Sequence, residues 1–182
     1  MAKCIIANLI NFGRDFVRFA ILPKCRKFQL LMHFGIKYYF WFCVFFILFT
    51  DAITKLIVRQ MLNVHSSIKI FSFFSVTHVQ NKGSLFGLLG SYDANTFFIL
   101  ITTIAVICIF YHTMRSRLSH SEILAWGLVA GGALGNLADR LLYGAVTDFI
   151  DFKIWPVFNV ADSAITAGIV LLLLAEVYTP AK

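Results

Sequence analysis

The chain has 182 residues, of which 59% are hydrophobic and only 14% charged, and its mean hydropathy is +0.81. A soluble domain carries about 25% charged residues, so the composition excludes an ordinary water-soluble globule and predicts an α-helical polytopic membrane protein. The net charge of +7 is not a nucleic-acid signature, because no soluble domain remains to present a groove; basic residues that set membrane orientation account for it more simply.

Residues 1–35 read as a basic arm. Asn11, Arg14, Asp15 and Arg18 recur at three- and four-residue spacing among Ile, Leu and Phe. That is the pattern of an amphipathic helix on the inner leaflet, ended near Pro23, with a poorly ordered arm as the competing reading. Lys24, Arg26, Lys27 and Lys37 then precede the first long apolar run. Residues 36–178 form one membrane domain without repeats or a low-complexity linker, and 179–182 a short tail. Cys4, Cys25, Cys43 and Cys108 show neither CxxC nor metal-ligand spacing, and neither Cys4 nor Cys25 follows a lipid-attachment sequence.

Hydropathy predicts four transmembrane helices, at about Ile36 to Val58, Thr96 to Tyr111, Ile123 to Leu142 and Ala161 to Val177. The first covers about 34 Å, enough for the hydrocarbon core. It is too long for the apolar core of a cleaved signal peptide, and no A-x-A site follows. Between the first two spans, alternation around Ile68 to Phe73 signals a strand, and Gly83, Gly87 and Gly90 then break the pattern. This predicts a small extracytoplasmic β-sheet at the membrane surface, then a short surface helix. The basic arm, the loop with Arg115 and Arg117, and Lys182 are expected in the cytoplasm, with segments 59–95 and 143–158 outside. Arg59, Lys69, Lys82 and Lys153 dilute that asymmetry.

Gly131 to Ser163 gathers four aspartates, two asparagines and an arginine beside these apolar runs, where burying charge is costly. Asp148 lies just past the third span and Asp162 at the start of the fourth. Antiparallel neighbours joined by a short loop bring both to one membrane face. Two carboxylates close together at low dielectric share one proton, as an aspartic peptidase requires. The competing reading makes Asp162 the acidic third residue of a helix capped by Asn159, and Asp148 a solvated loop carboxylate. Asp151 is expected exposed and charged.

Asn136, Asp139 and Arg140 share a helix face. Asp139 beside Arg140 reads as a charge pair anchoring the helix end, and Arg140 alternatively as a ligand for backbone carbonyls. Gly127, Gly131 and Gly135, spaced by four, make a smooth packing face. Asp51 and Lys55 stand at i, i+4 and neutralise one another on the first span. Asn81 and Gly83 form a turn whose amides are either simply structural or available to a substrate backbone. Scattered histidines without H-E-x-x-H, and the absence of G-x-S-x-G and of a P-loop, disfavour other hydrolases. Two rivals remain: a small transporter or proton-conducting protein using Asp51, Asp148 and Asp162, and a non-enzymatic membrane partner whose aspartates cap helices.

Taken in order, TDAITK (50–55), QNKGSLFG (80–87), GGALGNLADR (131–140), GAVTDFIDF (144–152) and FNVADSAITAG (158–168) resemble the signature blocks of the lipoprotein signal peptidases, signal peptidase II. The resemblance covers about Ile36 to Val177. It implies an aspartic endopeptidase that cuts the signal peptide of a diacylglyceryl-modified prolipoprotein before the lipidated cysteine. Asp148 and Asp162 would be the catalytic pair, and Asp139 not a member of it. Asn81, Gly83, Gly132, Asn136, Arg140, Asn159 and Ala161 would contact substrate or support the site, with Asp51 and Lys55 as a supporting pair. It also implies no metal or organic cofactor, membrane lipids as surroundings, a monomer, a bacterial inner-membrane location and a periplasmic active site. Lys82, Ser84 and Leu85 depart from the small apolar residues common after the asparagine.

Overall fold

A computed structural model describes residues 23–83, 94–116 and 118–178. Its elements are α1 (Pro23–Met61), β1 (Ser67–Lys69), β2 (Ser75–Asn81), α2 (Ala94–Arg115), α3 (His120–Tyr143), β3 (Val146–Asp151) and α4 (Val160–Tyr178). The chain divides after Tyr38. The described residues before that point are the opening turns of α1, and everything from Tyr39 onward forms the second unit. The expected helix ending at Pro23 and the expected short surface helix fall outside the described residues. Pro23 instead opens α1, a position where its missing N–H costs nothing.

Among the described residues, three helices are long and apolar enough to cross a membrane: Lys37–Met61, Ala94–Arg115 and Val160–Val177. The fourth, α3, has 24 residues and therefore spans about 36 Å, but Glu122, Asn136, Asp139, Arg140 and its glycines lower its hydropathy. Its position explains the difference. Helix α3 packs against both α2 and α4, while its glycines receive α1, so neighbouring protein rather than lipid covers most of its surface. Lipid-facing helices show the reverse pattern. On α1, Phe42, Phe45, Phe46 and Phe49 are more than half exposed, whereas Phe40 and Val44 are buried.

The glycine face is a packing surface in two directions. A Cβ on Gly127 or Gly131 would meet Cys43, Val44 or Ile47 of α1 at about 3 Å, while one on Gly132 would strike the Ala161 carbonyl oxygen of α4. Close backbone approach of this kind is how helices associate in lipid.

Helix α3 begins with a capping box, in which Ser119 accepts from the Glu122 amide and Glu122 accepts from the Ser119 amide. It ends at Gly144, whose φ of 70° is left-handed and whose N–H bonds the Arg140 carbonyl. That reversal sends the chain straight into β3. The sheet is antiparallel in the order β1-β2-β3, with Val79 opposite Asp148 and Asn81 opposite Val146.

The sheet differs from the expected pattern in two places. The alternation at Ile68 to Phe73 is not one strand: it ends at Lys69, and a turn closed by Phe71 and Phe74 leads into β2. Residues 146–151 form a strand where a loop was expected, because pairing with β2 overrides the low strand preference of aspartate. Phe158 then bridges to Ile150, and the next residue caps α4.

Candidate active site

The site forms where α3, β2, β3 and the start of α4 converge. Asn159 is the N-cap of α4 and Asp162 its third residue, and they close a reciprocal box. The Asp162 amide donates to Asn159 Oδ1 at 2.9 Å, and the Asn159 amide donates to Asp162 Oδ2 at 3.2 Å. The capping reading of Asp162 is therefore geometrically correct. It does not exhaust the residue, because its other oxygen, Oδ1, accepts from Asn136 Nδ2 at 2.7 Å.

Asp148 is only 2% exposed. Its Oδ1 accepts from Asn159 Nδ2 at 2.6 Å and its Oδ2 from Asn81 Nδ2 at 3.1 Å. Each of the three amides has its own oxygen occupied by another donor. Gly83 N–H holds Asn81 Oδ1 at 2.9 Å, Lys55 Nζ holds Asn136 Oδ1 at 3.0 Å, and the Asp162 amide holds Asn159 Oδ1. Since an amide presents NH2 opposite its oxygen, this arrangement turns all three NH2 groups toward the two carboxylates.

Burial raises the Asp148 carboxyl to about 6, helped by the nearby charge of Asp162 and opposed by the Asn81 and Asn159 hydrogen bonds. Desolvation always disfavours the charged form, and a second carboxylate adds to that penalty. Asp151, three residues along the same strand, behaves in the opposite way. Hydrogen bonds from Lys153 and Thr77 hold its carboxyl at about 2. It is charged as expected, but it is buried rather than exposed.

A second polar layer supports the first. Lys55 and Asp51 form an ion pair at 2.7 Å with both side chains 1% exposed, and Asp51 Oδ1 accepts the Ala161 amide at 2.9 Å. Asp139 takes Arg59 at 3.1 Å, Lys55 at 3.5 Å and the Thr147 amide at 2.9 Å. The direct ion-pair partners of Asp139 are thus on α1, while its neighbour Arg140 acts on it only at longer range. Arg140 lies with its guanidinium 4.9 Å from the Phe98 ring centre, within electrostatic reach of Asp162, Asp148 and Asp139.

Of the residues anticipated from sequence, Asn81, Asn136, Asp148, Asn159 and Asp162 meet in one hydrogen-bonded cluster. Gly83 orients Asn81, and its left-handed φ of 78° leaves no room for a side chain against Phe98. Gly132 and Ala161 act through the α3–α4 backbone contact. Arg59 and Thr147 were not anticipated. Arg59 had a signal, since it follows Asp51 and Lys55 at four-residue spacing; Thr147 had none, because its role depends on strand register. Among the described residues no group of three His, Cys, Asp or Glu side chains is placed to hold a metal. Asp51, Asp148 and Asp162 gather around the start of α4 instead of spreading through the membrane depth, which removes the main support for an ion pathway.

Apolar crossing helices around a buried polar cluster define a membrane enzyme, and solved structures agree. Two structures described as a bacterial membrane enzyme match with TM-scores of 0.71 and 0.67 at 32% and 33% identity. The first match covers 77% of this chain and 93% of that one, the second 76% and 87%. The family model for signal peptidase (SPase) II matches residues 43–178. The lipoprotein signal peptidase of Halothermothrix orenii is 41% identical over 132 residues, covering 72% of this chain and 90% of that protein. That of Francisella tularensis subsp. novicida is 38% identical over 144 residues, covering 75% and 89%. The chain belongs to the signal peptidase II family and is a membrane protease of that type.

Proposed function

We propose that this protein releases the signal peptide from diacylglyceryl-modified prolipoproteins by cutting before the lipidated cysteine, with Asp148 and Asp162 as an aspartic dyad. The observation that carries this reading is that Asn159 engages both carboxylates at once, donating its side-chain Nδ2 to Asp148 Oδ1 and its backbone N–H to Asp162 Oδ2. The half-buried Asp162 is the base, and the deeply buried Asp148 holds the shared proton. Water attacks the scissile carbonyl carbon as Asp162 takes one of its protons. Asp148 gives its proton to the carbonyl oxygen, forming a gem-diol. Collapse returns a proton from one hydroxyl to Asp148 while Asp162 protonates the leaving nitrogen, so the C–N bond breaks and the dyad is restored.

The lipid tails and signal helix approach sideways from the bilayer, and water reaches the dyad from outside. The protein works as a monomer in the bacterial cytoplasmic membrane, with both termini cytoplasmic and the dyad at the periplasmic face. Purified protein in detergent is expected to shift a lipidated prolipoprotein to its mature size. Asp148→Asn and Asp162→Asn should each abolish that shift, and retained cleavage in either variant removes that residue from the dyad.

A further inference from the structure

We infer that Arg59 is a positioning residue for the reaction, holding the strand that carries Asp148 through a shared grip on Asp139 and Thr147. This rests on the dyad reading above. Arg59 lies outside the sequence blocks that carry the family resemblance, yet it is one of the most engaged side chains near the site. Its Nη1 donates to Asp139 Oδ1 and to Thr147 Oγ1, each at 3.1 Å, and its guanidinium stacks 4.1 Å from the Tyr143 ring centre. Asp139 closes the loop by accepting the Thr147 amide at 2.9 Å. Thr147 is 2% exposed and immediately precedes Asp148.

The arrangement ties the end of α1 to the end of α3 and to the second residue of β3. Pairing with β2 fixes β3 in one direction, with Gln80 opposite Thr147. The grip of Arg59 and Asp139 fixes it from the helix side. Without that grip the strand has freedom to draw Asp148 away from Asp162, and misplacement of a reacting group by even about 1 Å is costly.

The test compares Arg59→Met, Arg59→Lys, Thr147→Val and the Arg59→Met/Thr147→Val double variant, using purified protein and a lipidated prolipoprotein. Arg59→Met is expected to lower kcat by at least about tenfold with KM within about twofold. Arg59→Lys should recover part of that loss, because it keeps a donor and charge facing Asp139. The double variant should be no slower than Arg59→Met alone, since the Arg59–Thr147 bond that Thr147→Val removes is already lost in Arg59→Met.

The pH profile supplies a readout that mere destabilisation does not move. Asp148 is faced by Asp162 from α4, Lys55 from α1, Arg140 from α3 and Asn81 from β2. A loosened strand hydrates Asp148 and moves it from Asp162. Both changes favour ionisation, so the alkaline limb of kcat should move to lower pH. A folded Arg59→Met with wild-type kcat and limb, or losses that add independently, would overturn the inference. If Arg59→Met does not fold, Thr147→Val decides alone, and unchanged kcat and limb overturn it. Cleavage by Asp148→Asn would instead sink the dyad reading.

Discussion

Asn159 Nδ2 sits 2.6 Å from Asp148 Oδ1 while Asn159 Oδ1 accepts the Asp162 amide at 2.9 Å. One residue therefore caps a helix and sets the spacing of two carboxylates. The N-cap requirement and the site requirement are met by the same amide, because Asn offers an acceptor oxygen for the helix and, on the opposite side of the group, an NH2 donor for a buried acid.

Replacing Asn159 by alanine removes both functions. We expect a stability loss of about 1–3 kcal/mol from the lost cap and the unsatisfied buried groups, together with at least a hundredfold loss of cleavage. Thermal unfolding in detergent and cleavage kinetics read the two separately. Wild-type turnover in a folded Asn159→Ala protein contradicts the assignment.

The raised Asp148 carboxyl sets a pH dependence. The value of about 6 lies above the ordinary 3.8, so the folded protein keeps a proton that the unfolded chain has released. The associated stability is complete below 3.8 and is lost as pH rises through about 6. Asp151 works with the opposite sign and lower down, losing its contribution as pH falls toward about 2, so the window above pH 4 separates Asp148 from Asp151. Between pH 4 and 7, Asp148→Asn should gain on wild type by about 3 kcal/mol in chemical denaturation. In the same range kcat/KM should decline above about pH 6 as the shared proton is lost. Parallel stability curves for the two proteins speak against a perturbed Asp148.

The buried pair of Asp51 and Lys55 gives a cycle. Lys55→Met leaves Asp51 without its counter-ion and releases Asn136 to rotate, so a loss of about 3–5 kcal/mol is expected. Asp51→Asn in the same chain restores neutrality and should recover much of the stability. Activity should recover less, because the donor that orients Asn136 is still missing. Equal recovery of both, measured by unfolding and by cleavage, would show that Lys55 serves the fold alone.

Two glycines separate packing from backbone conformation. A Cβ on Gly132 strikes the Ala161 carbonyl oxygen, whereas one on Gly144 meets nothing within 4 Å. Gly144→Ala should cost only the left-handed strain of its φ of 70°, about 1–2 kcal/mol. Gly132→Ala must push α3 from α4, stretching the 2.7 Å bond between Asn136 and Asp162 and reducing folded yield and cleavage together. Comparable yield and activity in the two variants would remove the helix contact from the account.

The sequence alone determined the apolar runs, the glycine spacing, the Asn159–Asp162 cap and the Asp51–Lys55 pair. All are written in local periodicity, which the helix repeat converts directly into a face. Its motif blocks also pointed to the family. Tertiary structure decided what depends on contacts between distant segments. Strand β3 exists because β2 pairs with it, although its aspartates argue for a loop. The direct ion-pair partners of Asp139, Arg59 and Lys55, lie about 80 residues away on α1, which no local spacing could reveal. The amide orientations of Asn81, Asn136 and Asn159 follow from donors in three separate parts of the chain, Gly83 after β2, Lys55 on α1 and Asp162 on α4. A carboxylate's neighbours in space, and not in sequence, decide whether it is an anchor or an acid.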